Sequence, residues 1–186
     1  MEVYVVRHTR VAVDKGLCYG QLEVPLAATF DEEFTALKSQ LPPQIDAVFS
    51  SSSQRCLQLA AQFSDNVQIE NALLEMNFGD WEGQRWNELD PDALNDWMND
   101  FVHVNAPNGE NLVSLSARVS AFLASLRQQN HAQCLIVTHA GAIRCIWAYL
   151  LEIPLKNCFK IAVDFGEILH FNLAKEANFD VIRRPQ

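Results

Sequence analysis

Arg7 and His8 directly follow the run Val3-Tyr4-Val5-Val6, and Arg55 follows four serines that close the apolar stretch 45–49. His139 directly follows Cys134-Leu135-Ile136-Val137-Thr138. Each cation thus stands just past a β-favouring apolar run. In open α/β sheets, ligands gather at the carboxyl ends of the strands, where these four side chains would arrive. Two guanidiniums can grip a tetrahedral phosphate through bidentate, charge-assisted hydrogen bonds, a task that suits Arg better than Lys. A neutral imidazole between them can attack phosphorus if its other ring nitrogen keeps its proton, most simply by donating to a backbone carbonyl. Phosphoryl transfer asks mainly for positioning and for stabilisation of charge on the equatorial oxygens, which Arg7, Arg55 and a donating His139 supply without a metal or cofactor. The departing alkoxide still needs a proton, and a carboxylic acid in the loop 73–83 can give it. Taken singly, each residue has a plainer reading, such as a basic dipeptide surfacing at a strand end or a solvated Arg on a helix. Their arrival at three strand ends is what favours a site.

Other phosphatase designs leave different traces. No Cys is followed six residues later by Arg, no Walker-type glycine-lysine loop is present, and the five His lack H-x-x-x-H spacing. The formal charge of -9 and the lack of a Lys/Arg cluster weigh against nucleic acid or an anionic membrane as partner. A small anionic ligand would need a local positive site. Five widely spaced cysteines without a C-x-x-C pair suggest reduced thiols and inert core filling. The start, Met1-Glu2-Val3, lacks the pattern of a signal peptide, and the most apolar segment, 134–155, is interrupted by His139, Arg144 and Glu152. A cytoplasmic protein is expected, and 186 residues suit one domain.

The elements that must position the four cations follow from periodicity. Strands are expected at 3–6, 45–49, 67–69 and 134–138, with a closing pair at 168–173 and 179–182. Residues 11–28, with Gly16, Gly20 and Pro25, form a long loop, and loops of that length in a compact domain usually carry function. Helices are expected over 30–41, stopped by Pro42-Pro43, and after the serines, which would cap a face formed by Leu57, Leu59, Ala60 and Phe63. Arg55 in that helix's first turn is unfavourable against the macrodipole, and an anion there would repair it. Asp90-Pro91 opens a helix with the stripe Leu94, Trp97, Met98 and Phe101 that should pack over the sheet. Two more helices carry Leu112 to Leu126 and Ile143 to Leu150. His103, His131 and His170 read as surface or satisfied residues, and Trp81, Trp86 and Trp97 as core or lid packing.

Four segments in this order resemble the histidine phosphatase superfamily with its phosphoglycerate mutase-like fold. They are Val5-Val6-Arg7-His8-Thr9, Ser50-Ser51-Ser52-Ser53-Gln54-Arg55-Cys56-Leu57-Gln58, Glu75-Met76-Asn77-Phe78-Gly79-Asp80-Trp81-Glu82-Gly83 and Val137-Thr138-His139-Ala140-Gly141-Ala142-Ile143-Arg144. The resemblance implies an α/β three-layer sandwich, a mostly parallel central sheet with helices on both faces, over residues 1–186. It implies His8 as the phosphorylated nucleophile and Arg7, Arg55 and His139 as the phosphate pocket. Glu75 would be the proton donor, with Glu82 in its place if Glu75 faces away. The loop Gly16-Leu17-Cys18-Tyr19-Gly20-Gln21-Leu22-Glu23-Val24-Pro25-Leu26 resembles that of the α-ribazole phosphatases. It marks Thr9, Tyr19, Gly20, Gln21 and Ala140 as further substrate contacts, and a small phosphate monoester as the partner. A phosphatase or mutase for another small ester is the nearest rival, and a non-catalytic phosphate-binding module the rival from another class. A mere binder would need neither nucleophile nor acid. The oligomeric state is left open.

Overall fold

The computed structural model describes residues 1–183. Its centre is a six-stranded sheet in the order β3-β2-β4-β1-β5-β6. The strands are β1 (Glu2–Arg7), β2 (Ala47–Ser50), β3 (Val67–Ile69), β4 (Gln133–Thr138), β5 (Ile168–Asn172) and β6 (Val181–Arg183). β1, β4, β2 and β3 pair in parallel, while β5 and β6 are antiparallel to their neighbours. The mostly parallel sheet follows from runs without polar alternation, which can only be buried on both faces.

Side chains alternate across that sheet with the period of two that strands impose. Val3, Val5, Phe49, Cys134 and Ile136 join a core on one face with α4 (Leu112–Leu126) and α5 (Ala140–Leu151). Val6, Val48, Leu135 and Val137 join a core on the other face with residues of α1 (Phe30–Lys38) and α2 (Gln54–Ala60). Helices on both faces therefore make the three layers expected.

Local departures have physical causes. α1 ends at Lys38 rather than 41, and residues 39–41 continue as turns before Pro42-Pro43. The serines do not cap α2. Ser53 sits at the cap position, but its hydroxyl makes no capping bond, and the Glu23 carboxylate accepts from the Gln54 N–H at 3.1 Å instead. In α3 (Pro91–Asn99), Asp90 caps as expected, accepting from the Ala93 N–H. Its apolar stripe is narrower than the spacing suggests: Met98 is 61% exposed and Phe101 lies beyond the helix. Trp97 packs against Phe78, Trp81, Trp86 and Phe101, so the helix covers the 73–83 loop. Phe179 belongs to a short 3-10 turn and is 63% exposed, and the last strand begins at Val181.

Outside the site the histidines are satisfied. His170 stacks on Tyr4 and meets Glu2 at 2.6 Å, His103 pairs with Asp100, and His131 meets Gln129. All five cysteines are free and buried. Among the described residues, no helix is long and apolar enough to cross a membrane.

Candidate active site

Register brings the strand ends together. Arg7 stands opposite Thr138 and Ser50 opposite Val137, so the chains leave β1, β4 and β2 at one level. The ladder runs one bond further, with the His8 N–H donating to the Thr138 carbonyl and the Ser51 N–H to the Val137 carbonyl, each at 3.0 Å. His8, Ser51 and His139 therefore emerge side by side, and the two imidazole centroids are 5.2 Å apart.

His8 is buried, and its Nδ1 lies 2.8 Å from the Thr9 carbonyl. A carbonyl only accepts, so Nδ1 carries the proton and Nε2 keeps its lone pair. Burial pushes the His8 pKa down to about 3, with the Arg55 and Arg7 charges acting in the same direction and the Thr9 bond against them. The ring is a neutral base at ordinary pH. His139 is held well below its usual pKa, first by burial, then by His8, Arg55 and Arg7. Its Nδ1 faces Arg55 at 3.2 Å, and its Nε2 faces the Ser51 hydroxyl at 2.8 Å. Arg55 can only donate, which assigns the His139 proton to Nε2, directed at Ser51.

The two arginines are fixed by neutral groups. Arg55 donates to the carbonyls of Leu22 and Gly20 at 2.9 and 2.6 Å. Arg7 donates to the Val163 carbonyl at 2.8 Å, and its guanidinium carbon sits 3.6 Å from the Phe165 ring centroid. Neither arginine forms an ion pair with a described carboxylate, and the Nε of each is buried without a partner.

Both glutamates of the 73–83 loop have clear positions. Glu75 lines the same cavity as His8; its Oε1 accepts from the Met76 N–H at 2.9 Å and its Oε2 from the Gly141 N–H at 3.0 Å. A Cβ on Gly141 would overlap Glu75 Oε1, so only glycine leaves the carboxylate its place on the first turn of α5. Glu82 instead accepts from the N–H groups of Gln21, Leu22 and Phe78 and holds one loop against the other. It is a clamp, facing away from the role held in reserve for it.

The cavity has a volume of about 320 Å³ and is lined by Arg7, His8, Arg55, Glu75 and His139 together with Leu17, Tyr19, Phe78, Trp86 and Arg144. Of the further contacts expected, Tyr19 lines it. Thr9, Gly20, Gln21 and Ala140 do not; they support the residues that do. Thr9 gives His8 its carbonyl, and Gly20 gives one to Arg55. The Gln21 amide donates to the Glu75 backbone carbonyl at 3.0 Å, and Ala140 is buried at the start of α5. Gly20 is also packed so closely on the Met76 carbonyl that a Cβ would overlap it.

Several working parts have no role in the site on the sequence reading. Ser51 orients His139, Phe165 covers Arg7, and Trp86 and Arg144 complete the wall. Arg118 donates to the carbonyls of Ala72, Leu74 and Glu75 at 2.8, 2.6 and 2.9 Å and pairs with Glu110, which fixes the carboxylate-bearing loop. A lone Arg on the amphipathic helix α4 gives no local signal of that task.

The profile of the histidine phosphatase superfamily (branch 1) matches residues 3–181. The adenosylcobalamin/alpha-ribazole phosphatase of Escherichia coli K12 is 33% identical over 177 residues, spanning 89% of this chain and 87% of that protein. Phosphoserine phosphatase 1 of Hydrogenobacter thermophilus is 24% identical over 174 residues, spanning 88% and 82%. The crystal structure of the alpha-ribazole phosphatase of Shigella flexneri superposes with a TM-score of 0.90 at 30% identity, over 98% of this chain and 95% of that one.

Proposed function

The chain belongs to the histidine phosphatase superfamily (branch 1) and is a phosphatase, and from that premise we propose that it is a metal-independent phosphomonoesterase working through a phosphohistidine on His8. The observation that carries this reading is the Nδ1 bond of His8 to the Thr9 carbonyl, which leaves a neutral Nε2 in a cavity flanked by two arginines without carboxylate partners. An incoming phosphate dianion supplies the missing negative charge. It also offsets the cationic neighbours that, after burial, hold the His139 pKa down, so that His139 can take up a proton at Nδ1 and donate to a phosphate oxygen once Arg55 turns from Nδ1 to the phosphate.

Nε2 attacks phosphorus, an N–P bond forms and the ester P–O bond breaks. Glu75 in its acid form protonates the departing alkoxide. In the second half, the Glu75 carboxylate takes a proton from water, the resulting oxygen nucleophile attacks phosphorus, and the N–P bond breaks to release inorganic phosphate. One water is consumed per ester, and no electrons are exchanged. Arg7 and Arg55 hold the equatorial oxygens through both steps.

For the substrate, we infer α-ribazole 5′-phosphate, as used in assembly of the cobalamin nucleotide loop. Support comes from the relative at 33% identity, the superposition at a TM-score of 0.90 and the place of Leu17 and Tyr19 from the 16–23 loop in the cavity wall. Rapid quench in alkaline detergent with labelled ester should trap an acid-labile, base-stable phosphoenzyme on the wild type and none on His8→Ala, whose turnover should fall by roughly 10⁴-fold. Full turnover by His8→Ala would reject the nucleophile. Hydrolysis of phosphoserine in strong preference to α-ribazole 5′-phosphate would reject the substrate.

A further inference from the structure

The cavity divides chemically. Its strand-end half holds every group that the phosphate and the proton transfer require. The rest of the wall is Leu17, Tyr19, Phe78 and Trp86, with the Tyr19 hydroxyl and the Arg144 guanidinium as its polar groups, and no carboxylate or side-chain amide stands there to grip a polyol. Beyond it, a recess of about 70 Å³ shares Glu75, Phe78 and Arg144 with the main cavity and is otherwise walled by apolar groups such as Met76, Leu115 and Phe159. The surface that must receive the alcohol portion of the ester is therefore aromatic and aliphatic.

Trp86 is the best-anchored part of that surface. Its ring centroid lies 5.3 Å from Phe78, 6.2 Å from Trp81 and 6.1 Å from Trp97. Its backbone N–H donates to the Gly16 carbonyl at 3.0 Å, and the adjacent Arg85 bridges to Leu17, so backbone bonds join it to the 11–28 loop. Half-buried, it keeps part of the indole toward the cavity. An aromatic plane held this way requires little ordering when a ligand arrives, which raises the net return of a stacking contact. Arg144 is also anchored, with Nε donating to the Ile161 carbonyl at 3.0 Å and its guanidinium 5.3 Å from the Phe159 ring centroid.

We propose that Trp86 is a specificity-determining residue that stacks on a planar ring in the alcohol portion of the substrate, so that heteroaryl-bearing esters are preferred over aliphatic ones. This rests on the phosphatase reading above and adds the residue that selects the leaving group.

The test compares kcat/KM for four esters: α-ribazole 5′-phosphate, adenosine 5′-monophosphate, ribose 5-phosphate, which keeps the sugar phosphate but lacks a ring base, and O-phosphoserine. The wild type should favour the ring-bearing pair over ribose 5-phosphate. Trp86→Ala should shrink that ratio by about tenfold, mainly through KM of the ring esters, and Trp86→Phe should keep most of it. If both variants lose activity equally on ring-bearing and ring-less esters, Trp86 is only structural and the proposal falls. A wild-type preference for phosphoserine would overturn it in favour of Arg144 gripping a second anion. Turnover without any ring preference would sink the stacking claim alone, whereas no turnover of any ester by the folded protein would take the phosphatase reading down with it.

Discussion

Arg55 and Arg127 are both buried, 1% and 7% exposed, yet they are compensated in opposite ways. Arg127, just past α4, makes a bidentate pair with Asp180 at 2.7 Å on both prongs and also donates to the Tyr149 hydroxyl and the Ala174 carbonyl. Its pKa is raised by that pairing, as expected of a structural ion pair. Arg55 has only carbonyls and a neutral imidazole around it. Burying a cation without a counter-ion is costly, so a fold that does it has left the counter-charge to be brought by a ligand. Arg7, half-buried beside it, likewise has no carboxylate partner. Glu75 is the mirror image, a carboxylate held by two backbone N–H groups with no cation paired to it.

The contrast can be broken or sharpened by exchange of charge. The largest effect is expected from Arg55→Met. Turnover should fall by about 10³-fold while the melting temperature in phosphate-free buffer stays level or rises, because an uncompensated charge has gone. A strong loss of stability with activity retained would equate the two arginines and end the comparison. Arg127→Met should do the reverse. It strands the Asp180 carboxylate and should destabilise by about 3 kcal/mol in urea unfolding, with kcat of the folded protein within about twofold of wild type. The double change Arg127→Met with Asp180→Leu should recover much of that loss.

Gly141→Ala probes the anionic counterpart. A Cβ there displaces the Glu75 carboxylate, and kcat on an alkyl phosphate should drop by about 10²-fold. The drop should be much smaller on p-nitrophenyl phosphate, whose leaving group needs no proton, and equal losses on both esters would mean that Glu75 is not the donor. The mildest effect is on pH dependence. Below about pH 6.5 an unfolded His8 takes up a proton that the folded ring, at about 3, declines. The unfolded state then binds more protons, so stability falls as pH drops from about 6.5 toward 3 and is indifferent to this group above it. His139 acts in the same sense. Urea midpoints at pH 5 and 7.5 should differ less for His8→Gln than for the wild type, and an unchanged difference would place the linkage elsewhere.

The strand ends were legible because each is announced by a continuous apolar run, with Arg7, His8 and His139 directly after theirs and Arg55 beyond the four serines, at the start of the helix that follows. Arg7, His8, Arg55 and His139 could be placed from that alone, and both sheet faces follow from alternation within the runs. The choice between Glu75 and Glu82 was not legible. They lie seven residues apart in one loop, and only the fold reveals that three N–H groups engage Glu82 while Glu75 turns to the cavity. The same holds for Phe165 and Arg118, whose tasks are contacts over long sequence separations with no local pattern. The helix that begins at Gln54 misled at its cap, because the serines look sufficient and the acceptor comes from Glu23 in a loop thirty-one positions earlier.

β1 lies between β4 and β5, its neighbours on either side. During synthesis the segment bearing His8 leaves the ribosome long before residues 133–138 and 168–172 exist to flank it. Pairing over such separations is slow and comes late. The His8 imidazole is thus synthesised well before the strands that flank it and is seated only when they pair, so a chain lacking residues 133–172 cannot assemble the centre proposed above.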